Sequence, residues 1–125
     1  SIYNHPLNFD TSNVTNMEAM FAYSVFNQPL HFDASNVEHM SRMFYNSQYN
    51  HPLHFNTSKV LRMEEMFYNA KFNQDISDWI IKDTEDNKSI IAYKNECIIK
   101  RKEKEAIEAS IGNNKSNAST CGFKL

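Results

Sequence analysis

His31 and His54 are the side chains of this 125-residue sequence whose type and spacing come nearest to metal chemistry. They occupy the same place in two matching phrases, "PLHFDAS" and "PLHFNTS", 23 positions apart. If those phrases lie side by side as strands, the imidazoles stand about 5 Å apart. A zinc ion asks for three or four good ligands, yet the equivalent places on the flanking phrases hold Asn8 and Ser77, which are poor ones. No metal and no cofactor is therefore expected. His5 and His51 alternate with Gln28 and Gln74, so the two imidazoles are separated by an intervening phrase and do not share a small ion. Asp10 and Asp33 also repeat, with Asn56 in third place; carboxylates without a proton-transfer partner read as Asx turns. No Ser/His/Asp or Cys/His set assembles, and no glycine loop cradles a phosphate. Catalytic residues are none, and the chain reads as a non-enzyme.

These residues are positioned by a repeat. Met17, Met40 and Met63 are 23 apart, as are Val14, Val37 and Val60. Tyr3, Phe26, Tyr49 and Phe72 keep the same step, and so do Leu7, Leu30, Leu53 and Ile76. A period of about 20 to 50 residues is the signature of a solenoid, so residues 1–79 read as three full repeats and a partial fourth. Inside each repeat Leu30 and Phe32 alternate with His31, the pattern of a half-buried strand. Val37, Met40, Met43 and Phe44 then follow at the spacing of a helix face. Ser12, Ser35 and Ser58 stand where helix caps belong. The expected fold is α/β, a short solenoid of 23-residue strand-turn-helix repeats that bury their faces against one another. Asn4, Asn27, Asn50 and Asn73 are read as a structural ladder, one amide per turn bonding its own repeat and the next.

After Trp79 the rhythm stops. Acidic residues at 83, 85 and 86, then Ile90, Ile91, Cys97, Ile98, Ile107 and Ile111, predict one helix over 80–111, either a cap on the last repeat or an assembly device. Residues 112–125 are expected to be disordered. Cys97 and Cys121 both lie in this tail, and the sequence leaves their redox state open. The net charge of −2 gives no nucleic-acid footprint. No apolar run reaches the roughly 18 residues that cross a bilayer. Because the first residues already belong to a repeat, the chain reads as a piece of a longer protein.

With "FNQPLHF", "SNVTNMEAMF" and "MFYNAKFNQDISDW" in view, residues 3–79 resemble the BspA-like family of leucine-rich-repeat-related surface proteins and its mycoplasma-type repeat. Three of the four strands here end in Phe where that template has Trp. The resemblance implies a leucine-rich-repeat-like coil, a surface or extracellular location, and adhesion or partner binding without catalysis. A protein partner or a surface glycan is then expected on an outward ladder made of Asn8, His31, His54 and Ser77 with His5, Gln28, His51 and Gln74. Self-association through the open end of the repeats or through the C-terminal helix is the alternative.

Overall fold

A computed structural model of the protein describes residues 3–111. Its repeating unit is a ribbon of overlapping turns, formed by residues 17–24, 40–47 and 63–70. In the first copy the amides of Met20, Ala22 and Ser24 donate to carbonyls three residues back, at 3.2–3.3 Å. The amides between them, Met17, Ala19, Phe21 and Tyr23, donate instead to His39, Ser41, Met43 and Tyr45 of the following repeat, at 2.7–3.0 Å. Met40, Arg42, Phe44 and Asn46 donate in the same way to Arg62, Glu64, Met66 and Tyr68. Every second N–H thus closes a local turn and the others bind the next repeat, which pairs the backbone of buried segments.

The short helices expected after Ser12, Ser35 and Ser58 do not form, and these serines cap none. Among the described residues the helices are a 3-10 turn, Glu85–Asn87, and α1, Lys88–Ile111. The three-residue spacing of Val37, Met40 and Met43 fits overlapping three-residue turns as well as it fits a helix. A helix of two turns carries its nucleation cost and keeps its bonds to itself, whereas the ribbon shares half of them with its neighbour. The geometry requires left-handed backbone at Ala19, Arg42 and Glu65 and again at Tyr23, Asn46 and Asn69, with φ between 52° and 59°. Each such non-glycine residue costs about 1–2 kcal/mol, and the bonds between neighbouring ribbons offset it.

Continuous strands are absent among the described residues as well. Asn16 and His39, and His39 and Arg62, form isolated parallel bridges. Residues 30–34 alternate between buried and exposed, as do 53–57, so the two-residue period is present without the ladder. Pro6, Pro29 and Pro52 have no N–H to give, and side chains take over the joining. Asp33 N–H donates to Thr11 Oγ1 (2.8 Å), and that hydroxyl donates to Asp33 O (3.1 Å). Leu30 N–H donates to the Tyr49 hydroxyl at 3.2 Å.

Between ribbon and extended run lies a core of stacked rings. Phe21, Phe44 and Phe67 stack at 5.5 and 5.6 Å, each one repeat from the next. Phe44 also stacks on Tyr49 at 4.8 Å and Phe67 on Phe72 at 4.1 Å, joining the two walls. Aromatic pairs of this kind contribute about 0.5–1.5 kcal/mol beyond the area they bury. Met17, Met40 and Met63 fill the gaps beneath them. Met43 and Met66 are likewise buried, but Met20 of the first repeat is exposed. Burial pushes the Tyr49 phenol up to about 12.

Helix α1 starts at Lys88, eight residues later than the sequence pattern predicts, and lies against the last repeat. Ile90 and Cys97 are buried on that face. The Tyr93 hydroxyl donates to Gln74 O at 2.6 Å, and Lys94 Nζ to Trp79 O at 2.6 Å. Arg101 pairs with Asp75 at 2.5 Å and with Asp78 at 3.3 Å. Cys97 is not a free thiol. Cys121 and the tail at 112–125 lie outside the described residues.

Candidate binding faces

The Asx turns set the edges of the outward face. Ser12 and Ser35 donate both N–H and hydroxyl to Asp10 Oδ1 and Asp33 Oδ1, at 2.6–3.0 Å, and Ser58 N–H donates to Asn56 Oδ1 at 3.1 Å. These bonds hold the Asp10 and Asp33 carboxyls below the usual carboxylate range. In the partial fourth repeat burial alone would raise Asp75, but bonds from Ser77 and the Arg101 guanidinium override it and the carboxyl is lowered. Between the turns, Asn8, His31 and His54 are exposed, and Ser77 is half-buried. His31 is flanked by buried Leu30 and Phe32, and His54 by buried Leu53 and Phe55.

The second set of ladder residues has a different environment. His5 is exposed, with its ring 5.5 Å from Tyr3. Gln28 donates to Asn4 Oδ1, a His51 ring nitrogen meets Asn27 O at 2.9 Å, and Gln74 donates to Asn50 Oδ1 at 2.9 Å. Gln74 is buried and Gln28 and His51 are half-buried. These three side chains reach back onto the preceding repeat, so they offer a ligand little. The four asparagines themselves form a continuous chain of bonds. Asn27 N–H donates to Asn4 Oδ1 (2.7 Å), Asn50 N–H to Asn27 Oδ1 (2.9 Å) and Asn73 N–H to Asn50 Oδ1 (3.1 Å).

Two features were not read from the sequence. Tyr23, Tyr45 and Tyr68 form a surface stripe with ring centroids 5.5 and 5.2 Å apart, and Tyr23 and Tyr68 are well exposed. Tyr45 and Tyr68 keep the 23-residue step, but Tyr23 is one place off it, which hid the stripe. Asn87, almost wholly buried, ends the backbone ladder with its side chain. Its Oδ1 accepts from Met63 N–H at 2.8 Å and its Nδ2 donates to Leu61 O at 3.1 Å. The His39 peptide does the same work for Met17 and Thr15. The signal available in the sequence was one polar residue at the entry to a helix.

Between the third ribbon and α1 is a cavity of about 560 Å³. Phe67, Phe72, Ile90 and Tyr93 supply its apolar lining, and Glu65 and Glu96 lie on it as well. No group of three or more His, Cys, Asp or Glu is placed to hold a metal ion among the described residues. No helix among them is long and apolar enough to cross a membrane.

An Asn ladder, stacked rings and shared turn ribbons define a protein built from one short motif. Residues 2–101 match the family model described as a Mycoplasma protein of unknown function, DUF285, and the chain belongs to that family. No curated protein and no solved structure matches it.

Proposed function

We propose that the protein is a non-enzymatic interaction module of the adhesion type, a short leucine-rich-repeat-like solenoid akin to the BspA-like surface proteins and part of a longer surface or structural protein. Its ligand is a protein or a surface glycan. The observation that carries this reading is the division of labour among polar groups. The repeated asparagines, threonines and serines are engaged in bonds within the repeats, while His31 and His54 stand exposed on buried, regularly spaced supports. A side chain held on a packed scaffold loses little freedom on binding, which favours recognition. The test is binding of the full chain and of the double variant H31A/H54A to glycan and peptide arrays. Loss of at least about fivefold in affinity marks the pair as part of the contact. Unchanged affinity for every ligand found would place the contact elsewhere.

A second reading, assembly through α1, is favoured by one observation. Ile99, Ile107 and Ile111 are more than half exposed, the last two on the part of α1 that runs past Arg101. Light scattering over a wide concentration range separates the readings: a mass that rises with concentration and falls back in I107K/I111K supports assembly, and a constant monomer mass rejects it.

A further inference from the structure

The third ribbon differs from the first two in what its outward amides meet. In the first repeat the N–H groups of Ala19, Phe21 and Tyr23 bind the second, and in the second those of Arg42, Phe44 and Asn46 bind the third. The matching amides of the third repeat belong to Glu65, Phe67 and Asn69, and no acceptor meets them among the described residues. Asn87 replaces only the first acceptor of the row, at Met63. Helix α1 lies where the next ribbon would come, but carbonyls inside a helix are already committed to its own amides. The cavity follows from that mismatch, and Glu65, Phe67 and Asn69 all line it.

We propose that this cavity takes an extended peptide segment that presents its carbonyls to the N–H groups of Glu65, Phe67 and Asn69 and carries a bulky apolar side chain beside a Lys or Arg. Donors at alternate residues suit backbone carbonyls at alternate residues, the mode by which a peptide adds to an open sheet edge. Phe67, Phe72, Ile90 and Tyr93 provide an apolar seat for one side chain. The charge of the partner follows from the carboxylates. Glu96 forms no ion pair among the described residues, and Glu65 carries only Arg42. Together they disfavour a phosphate or an acidic peptide, the other ligands that a row of N–H groups attracts, and favour a basic one. The site is separate from the exposed imidazoles and does not depend on them.

The experiment selects from a displayed library of random seven-residue peptides on the full chain. The best synthetic peptide is then read by residue-resolved amide exchange. The expected result is enrichment of sequences pairing a large apolar residue with Lys or Arg. The bound peptide slows exchange at Glu65, Phe67 and Asn69 by roughly threefold to tenfold, the worth of one net backbone hydrogen bond. Glu96→Arg, an exposed change, weakens binding about twofold to fivefold, as an exposed ion pair should. Acidic sequences winning the selection, no enrichment over a chain bearing I90W, or ring shifts at Phe67 without change at the three amides would each overturn the proposal. So would amides already protected in the full chain and exposed by ending it at Ile111, because the occupant would then be the chain's own C-terminal segment.

Discussion

The two walls of each repeat solve the same problem with different chemistry. On the ribbon wall, backbone binds backbone, and side chains are left to fill the core: Met40 N–H reaches Arg62 O at 2.9 Å while its thioether is fully buried. On the extended wall, prolines and an outward pleat leave the backbone unpaired, so Asn, Thr and Tyr side chains supply the acceptors. The ribbon should therefore be sensitive to lost volume and the extended wall to lost polar atoms. A ladder made by the backbone tolerates many side chains, whereas one made by side chains fixes residue type. The asparagine kept at positions 4, 27, 50 and 73 is an instance of the second, and Ala19, Arg42 and Glu65 at equivalent ribbon positions are an instance of the first.

The largest effect that sharpens this contrast comes from Phe44, which is fully buried and stacks on Phe21, Tyr49 and Phe67. Phe44→Ala should cost about 3–5 kcal/mol in urea unfolding. Asn50 tests the other wall, since its Oδ1 accepts from both Asn73 N–H and Gln74 Nε2. Asn50→Ala should cost about 1–3 kcal/mol by stranding part-buried donors. Asn4→Ala removes the same kind of bond at an exposed site, where water replaces it, and should cost less than about 1 kcal/mol. Equal losses at Asn4 and Asn50 would break the distinction between buried and wet parts of the ladder.

Acid sensitivity should include a contribution from the junction of α1 with the repeats, beside those of Asp10 and Asp33. Asp75 is lowered in the folded chain by Ser77 and Arg101 despite its burial. The unfolded chain then binds its proton first, so the stability from this pair is present above an ordinary carboxyl value of about 3.9 and is lost as pH falls through the lower folded value. Asp75→Asn should flatten that acid limb of an unfolding-against-pH curve, and an unaltered limb would assign it to other carboxyls. The smallest effect belongs to Ala19, whose φ of 56° suits glycine. Ala19→Gly should change stability by no more than about 1 kcal/mol, in the stabilising direction.

Part of this architecture could be read from residue order, and the reasons differ from element to element. The 23-residue step was legible because Met17, Met40 and Met63 are packed identically, and the Leu30–Phe32 alternation because burial follows the pleat whether or not strands pair. The Asx turns at Asp10 and Asp33 are local, so local spacing revealed them. Ribbon and helix share a three-residue spacing of apolar positions. What separates them is the left-handed backbone at Ala19, Arg42 and Glu65, residue types that do not announce it. Asn87 and the cavity beside α1 depend on the meeting of elements distant in sequence, Leu61 and Met63 with Asn87, and Phe67 with Tyr93. No window of residues contains both partners.

Residue-resolved amide exchange of the protein alone tests the shared turn ribbon most directly. Slow exchange at Ala19, Phe21, Arg42, Phe44 and Asn46, with fast exchange at Glu65, Phe67 and Asn69, is the pattern that repeat-to-repeat donation predicts. Uniform protection through 17–24, 40–47 and 63–70, with helical secondary shifts and no difference between the third copy and the others, would contradict it.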